Sequence, residues 1–294
     1  MIKKTRAIIT GGKGFFGEHL IKNLSSMGYD CHTFDRVDGQ DVTDRKLVLN
    51  PVRGNDVIFH LAGVLGTHEL NERAYEATII NVLGALNVFD AARKHKARVI
   101  LAAKPNPWLN AYTITKEASE KFALMYAQIY GCDFRAGRFY SLYGPGQKTK
   151  EHGIQKAVPT FIMQALNNEP VTIFGTGNQT ADFIHVSDAA EAFARLGHTE
   201  NLHGEIIDIG TGRETEINFL AEMIIRLVGS NSKIVHIPMR TGEPLNARVV
   251  ADTTKMATLL HFTPQVSLED GIKETIEWYK FNIFMQQPFI SVPV

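Results

Sequence analysis

The chain has 294 residues, 44% of them hydrophobic and 21% charged, with 31 Lys plus Arg against 31 Asp plus Glu. Balanced charge excludes the basic surface that would hold nucleic acid or an anionic membrane, and no apolar run reaches the roughly 18 residues that cross a bilayer. The length allows one large α/β domain or two associated lobes, and the start leads straight into a strand, so a cytoplasmic protein is expected.

Arg6 to Thr10 is a short apolar run, followed by Gly11-Gly12-Lys13-Gly14-Phe15-Phe16-Gly17. Phe16, Leu20 and Leu24 then recur at helical spacing, so the glycines stand between a strand and a helix. Gly11, Gly14 and Gly17 allow a tight turn and a close backbone approach, and the helix N-terminus receives a pyrophosphate. A second strand over 29–34 ends at Asp35, eighteen residues beyond Gly17. A carboxylate there bonds both ribose hydroxyls, which favours NAD over NADP; Arg36, next to it, slightly weakens that preference. Cys31 and Cys132 lack metal-ligand spacing and are expected as reduced, buried thiols near strands.

A helical pattern over 75–95 precedes a strand over 98–102. Tyr112-Thr113-Ile114-Thr115-Lys116 then opens a helix to about residue 130, which puts Tyr112 and Lys116 one turn apart on one face. A phenol with an ordinary pKa of about 10 is a poor base at neutral pH. A cation one turn away favours the phenolate and makes Tyr112 a usable acid/base. Past residue 151 the regular alternation of strand and helix lapses, as on entering a smaller lobe. A helix over 158–166, a strand over 170–175, a strand over 206–210, and helices over 217–228 and 268–279 follow. Residues 281–294 are apolar with two prolines and have no assignment. The histidines are scattered, with His60, His185 and His236 at strands or strand ends. No Ser-His-Asp order and no Cys-x-x-Cys pair occurs, so hydrolase and metal chemistry fall away.

These residues resemble the extended short-chain dehydrogenase/reductase superfamily. The likeness is to its NAD-dependent nucleotide-sugar epimerases and dehydratases, such as the UDP-glucose 4-epimerases, which open with T-G-G-x-G-F-x-G. The resemblance extends to about residue 280. It implies a Rossmann-like doubly wound parallel sheet with a smaller, mixed α/β C-terminal substrate lobe. Residues 1–140, about 182–214 and 264–280 would bind NAD; residues 141–181 and 215–263 would form the substrate lobe. The cofactor residues it implies are Gly11, Gly14, Phe15, Phe16, Gly17, Asp35 and Arg36, with Asp41 and Val42 at the adenine ring. Leu61, Ala62 and Gly63 follow in the family's fourth strand, under the cofactor, and then Asn81, Tyr112, Lys116 and Phe139. Arg138 to Gln147 is similar to the R-x-x-N-x-Y-G-P crossing, with Tyr140 and Ser141 at the sugar nucleotide and Ser141 in an asparagine's place. Val158, Phe174, Arg240 and Glu243 complete the implied substrate contacts. Ala181 replaces an arginine that often binds the diphosphate, which leaves Arg240 of Arg240-Thr241-Gly242-Glu243 as the phosphate clamp.

The implied reaction is 4-epimerisation of a nucleotide sugar, UDP-linked, through a transient 4-keto sugar, in a homodimer formed through residues 75–95 and 112–130. The sequence departs from the pattern at one place. A Ser or Thr normally follows the family's fifth strand, and a long segment then leads to the tyrosine. Here Leu101-Ala102-Ala103-Lys104 carries no hydroxyl, and Pro105-Asn106-Pro107-Trp108-Leu109-Asn110 connects at once. Ala103 or Lys104 fills the place, and either Lys104 or an asparagine, Asn106 or Asn110, takes the donor role. The absence of a carboxylate here counts against a 4,6-dehydratase, and a decarboxylase of the family would likewise want a glutamate in this loop. Another nucleotide-sugar oxidoreductase of the family, or a weakened NAD and nucleotide-sugar binder, stays open beside the epimerase.

Overall fold

The computed structural model describes residues 5–54, 56–105, 108–151 and 154–286. Strands and helices alternate through the first half: β1 (Arg6–Thr10), α1 (Phe15–Ser26), β2 (Asp30–Phe34), α2 (Arg45–Leu49), β3 (Val57–His60), α3 (Ala74–Ala77), α4 (Gly84–His95), β4 (Arg98–Ala103), α5 (Ala111–Tyr130) and β5 (Phe134–Phe139). The second half is less regular. It holds β6 (Ser141–Tyr143), β7 (Lys150–Glu151), β8 (Ile154–Gln155), α6 (Ala157–Leu166), β9 (Val171–Phe174), β10 (Thr180–Ala181), β11 (Phe183–His185) and α7 (Val186–His198). After these come β12 (Ile206–Ile209), β13 (Thr215–Glu216), α8 (Ile217–Val228), β14 (Ile234–Ile237), β15 (Arg248–Val249), α9 (Thr254–Leu259) and α10 (Leu268–Gln286).

Six strands form one parallel sheet in the order β2-β1-β3-β4-β5-β12. Its central strands are apolar on consecutive residues because helices cover both faces. Ala7, Ile9, Val57, Phe59 and Ile100 pack on one side with Leu20 and Leu24 of α1 and Phe193 of α7. The alternate residues Ile8, Ile58, Val99 and Leu101 pack on the other with Val88 and Phe89 of α4 and Ala123 of α5. The order reverses at β1, which lies between β2 and β3. Loops leaving the carboxyl ends of β1 and β3 therefore diverge, and a crevice opens where such sheets bind ligands.

A third core joins α6, α8 and α10 through Val158, Phe161, Ile162, Leu220, Ile224, Ile272, Ile276 and Tyr279. Residues 264–280, read from sequence with the cofactor lobe, thus send three apolar side chains into this core. The parallel pair β6–β11 connects the two regions. The strands read as the family's fourth and fifth are the third and fourth of this chain. Among the described residues, 35–56 hold a 3-10 turn and the short α2 but no strand. The last helix continues to Gln286, so residues 281–286 of the unassigned tail are helical; 287–294 lie outside the described residues. Cys31, on the edge strand β2, and Cys132, in the turn before β5, are free and half-buried rather than buried, because neither position is covered on both sides. Among the described residues no helix is long and apolar enough to cross a membrane.

Candidate active site

The glycine loop forms a cradle for backbone reasons. Gly11 has φ of 70°, and a Cβ there would stand 2.9 Å from the Ala62 nitrogen of the loop after β3. Gly17 faces the loop's own backbone, where a Cβ would meet the Gly12 oxygen at 2.5 Å. Gly14 is the N-cap of α1, with no side chain closing the first turn, so the helix begins at Phe15 with its first N–H groups open to an anion. This cradle fits the pyrophosphate of a dinucleotide. Asp35 ends β2 as expected, but its carboxylate is already held: Oδ1 accepts from the Val37 N–H at 3.0 Å and Oδ2 from the Lys13 N–H at 2.9 Å. Each oxygen keeps a lone pair for a ribose hydroxyl. Arg36 is exposed beside it, and Asp41 turns onto Thr43, accepting from its N–H and hydroxyl at 2.9 and 2.8 Å. Val42 is buried against Gly84, and Phe139 lies in the core with its ring 4.6 Å from that of Phe16. Leu61 and Ala62 are half-buried and Gly63 is exposed along the crevice.

Asn81 acts as a clamp. It sits in a π-helical stretch, Thr78–Leu83, between α3 and α4. Its Oδ1 accepts from the Val64 N–H at 2.8 Å, and its Nδ2 donates to the Val64 carbonyl at 3.1 Å and to Thr115 Oγ1 at 3.0 Å. One side chain thereby ties the loop after β3 to the helix that carries Tyr112.

Helix α5 starts at Asn110, whose side chain accepts from the Thr113 N–H at 2.9 Å as an N-cap. Tyr112 follows in the first turn, half-buried, and Lys116 lies one turn on, 9% exposed. Burial pushes the Lys116 ammonium down to about 8, opposed by the charge of Glu120 one further turn along. The expected lowering of the Tyr112 phenol is not found: burial alone acts on it, and raises it above its ordinary value. Glu120 is itself paired with Arg138, at 2.8 and 2.6 Å. His60, at the end of β3, bonds Thr10 Oγ1 at 2.7 Å and is pushed down to about 3 by burial and then by Lys116, so it is neutral.

Of the two residues that could fill the place left without a hydroxyl, Ala103 is the buried last residue of β4 and Lys104 stands at the crevice. It directly follows β4, and its Nζ lies 5.8 Å from the Tyr112 ring centroid and 5.9 Å from that of Trp108. Of the two asparagines that sequence offered instead, Asn106 lies outside the described residues. Asn110 is 3% exposed and fully engaged, since besides capping α5 it donates from Nδ2 to the Gly242 carbonyl at 3.2 Å.

The substrate-side residues divide. Arg240 stacks over Phe174, 4.8 Å from its centroid, and pairs with Glu243 at 2.9 Å. Glu243 also accepts from the Thr67 hydroxyl. Tyr140 donates to Asp208 at 2.7 Å, which directs its hydroxyl to β12. Ser141 is half-buried in β6, whereas the Val158 side chain is part of the core between α6 and α8. Sequence reasoning passed over four residues that organise this region: Thr67, Asn71, Glu120 and Asp182. Asp182, fully buried, accepts from the Thr211 N–H and hydroxyl, the Gly212 N–H and the Ala251 N–H. Glu120 was within reach as the next residue at helical spacing after Lys116. Nothing local signals the others, because their partners stand far away in the chain. Among the described residues no cluster of His, Cys, Asp or Glu suits a metal.

The model of the NAD dependent epimerase/dehydratase family matches residues 7–104 and 101–210. The two stretches meet at the end of β4, where the family's longer segment would stand. A UDP-N-acetyl-alpha-D-glucosaminuronate decarboxylase of Bacillus cytotoxicus is 32% identical, over 94% of this chain and 98% of its own length. A UDP-glucose 4-epimerase of Mycolicibacterium smegmatis is 27% identical, over 94% and 98%. The Bordetella bronchiseptica enzyme WbmF, solved in complex with NAD+, superposes with a TM-score of 0.84 at 25% identity, covering 97% of this chain and 95% of that one. With the family model matched over more than half its length and a relative 32% identical across nearly all of it, the chain belongs to the NAD dependent epimerase/dehydratase family.

Proposed function

We propose that the protein is an NAD-dependent 4-epimerase of a UDP-linked sugar. The observation that carries this is the meeting of Tyr112, Lys116 and Lys104 at the carboxyl end of β4, beside the glycine cradle. Bound NAD supplies the hydride acceptor and donor. Tyr112 Oη takes the proton of the C4 hydroxyl and returns it after the ring has turned over. Lys116, one turn below, is the cation that would hold the nicotinamide ribose and would have to oppose the burial that raises the phenol. Lys104 donates to the C4 oxygen in place of the usual hydroxyl. Gly11, Gly14 and Gly17 carry the pyrophosphate, Asp35 the adenosine ribose, and Arg240 the substrate diphosphate. The cofactor lobe follows the large sheet, and the substrate lobe follows the core of α6 and α8. Two copies pair through the outer faces of α4 and α5.

The Bacillus cytotoxicus relative favours a second reading, decarboxylation of a nucleotide-linked uronic acid, against which stands the absence of a glutamate in the loop after β4. A 4,6-dehydratase is disfavoured because Ala102, Ala103, Lys104 and Pro105 include no carboxylate. Product analysis by NMR after incubation with UDP-glucose, UDP-glucuronate and their N-acetyl forms separates these. The inverted C4 centre is expected; a pentose product moves the assignment to the second reading. Tyr112→Phe is expected to lower turnover roughly 10²-fold or more while NAD stays bound. Turnover near the wild-type rate in that variant would remove Tyr112 from the mechanism.

A further inference from the structure

The glycine cradle carries a charge that seating a pyrophosphate does not use. Lys13, between Gly12 and Gly14, is the only cationic residue from Gly11 to Gly17. Its main-chain N–H donates to Asp35 Oδ2 at 2.9 Å, and its ammonium pairs with the Asp38 carboxylate. Asp38 is held in place for that contact. It ends a 3-10 turn, Arg36–Asp38, which is capped by Asp35 and closed by Gly39 at φ of 74°. The Asp38 N–H donates to the Asp35 carbonyl at 3.0 Å, and the Asp35 N–H to Gln40 Oε1 at 3.2 Å. The pair therefore spans from the glycine loop to the turn after β2, beside the Asp35 carboxylate. Its two side chains are 42% and 39% exposed, so it contributes little to stability. What it changes is the charge that a group bound at Asp35 would meet.

We propose that Asp38 is a cofactor-specificity residue: by holding Lys13 it withholds the glycine-loop cation from a 2′-phosphate, and so favours NAD over NADP. This rests on the placing of the adenosine ribose at Asp35, and adds a second determinant to that carboxylate. A ribose 2′-hydroxyl donates to the carboxylate, whereas a 2′-phosphate brings further negative charge and needs a free cation. With Lys13 paired, the carboxylates of Asp35 and Asp38 together outweigh its charge. With Asp38 neutral, Lys13 balances Asp35 and its flexible stem can turn toward the phosphate. Arg36 is exposed beside Asp35 in either case, so a contrast made at Asp38 reads Lys13 and not Arg36.

Titration calorimetry of the full chain, freed of bound nucleotide, tests this with adenosine 5′-monophosphate and adenosine 2′,5′-bisphosphate, which differ only in the 2′-phosphate. The wild type is expected to bind the monophosphate more tightly. Asp38→Asn is expected to narrow the ratio of the two dissociation constants roughly fivefold, the effect of one charge a few Å away in a water-like medium. Asp38→Ser gives the same contrast if the amide loosens the turn. Adding Lys13→Met to either variant is expected to restore the wild-type ratio. An undiminished ratio in the Asp38 variants, with thermal midpoints held, overturns the proposal. A narrowing that survives Lys13→Met overturns it equally, because the carboxylate then acts without the lysine. Equal or tighter binding of the bisphosphate by the wild type overturns it too and leaves the dinucleotide cradle intact. Failure to bind either nucleotide removes the ribose placement and this proposal together.

Discussion

An ammonium beside the Tyr112 ring, lowered by burial, ties the proposed proton donation to pH. Lys104 is lowered to about 8 by burial first and by Lys156 second, with Glu243 opposing. Below that pH it is charged and can donate a proton; above it the group is neutral. The charges that act on it are those of Lys156 before α6 and Glu243 in the 240–243 turn, and the Tyr112 ring lies beside it. Lys116 is also lowered to about 8, so an overall loss of rate in alkali does not identify Lys104. Comparison with Lys104→Arg does, because that variant leaves Lys116 as it is. The fall of kcat/KM above about pH 8 is expected to be less steep in Lys104→Arg, whose guanidinium stays charged throughout. A fall of the same steepness in both proteins would take Lys104 out of proton donation. At this scale the placement of Tyr112 and Lys116 one turn apart on α5, and of the three glycines at the turn into α1, was legible from spacing. The electrostatics were not: i,i+4 spacing says that Lys116 is near Tyr112, but burial raises the phenol, and only packing decides burial.

Elements were legible where local pattern and tertiary demand agree. Strand β1 and helix α8 fall on the residues read from the sequence. The π-helical turn over Thr78–Leu83 was not, because it answers to contacts outside the helix: Asn81 must reach both Val64 and Thr115. The same stretch bears on assembly. With Asn81 turned inward, Tyr75 and Leu83 remain outside, 83% and 43% exposed. On α5, Ile114, Phe122, Met125 and Ile129 recur on one face, and Ile114 and Ile129 are 50% and 67% exposed. Apolar side chains grouped on adjacent helices suit a second copy better than water. Sedimentation velocity is expected to find a dimer, and Leu83→Glu combined with Ile129→Glu a folded monomer. A wild-type protein that sediments as a monomer at assay concentrations would end the case for pairing through these faces.

Across the whole molecule, the short link between β4 and α5 changes what meets at the crevice. With Lys104 and Asn110 only a few residues apart, the 240–243 turn comes down directly on the start of α5. Three contacts hold it there: Thr67 to Glu243, Asn71 Nδ2 to the Thr241 carbonyl at 3.5 Å, and Asn110 Nδ2 to the Gly242 carbonyl at 3.2 Å. Asn71 in turn accepts from the Ala111 N–H at 3.3 Å, so the loop after β3, the helix start and the turn interlock. Gly242 has φ of 87°, and a Cβ on it would come within 3.0 Å of Asn71 Nδ2, which leaves little room for any other residue. None of this was legible, since the partners are separated by 40 to 176 positions. The turn carries Arg240 and Glu243, so its seating sets where Arg240, the proposed phosphate cation, stands. Asn110→Asp isolates the effect: the carboxylate still caps α5 through the Thr113 N–H, but it cannot donate to Gly242 and repels that carbonyl. KM for the nucleotide sugar is expected to rise roughly tenfold, the order of one lost buried hydrogen bond, with NAD binding and thermal midpoint held. Asn110→Ala loses cap and contact together and is expected to cost about 1 kcal/mol or more in denaturant unfolding as well. An Asn110→Asp protein with unchanged KM would show that Arg240 is positioned by its stack on Phe174 and its pair with Glu243, without help from the helix that carries Tyr112.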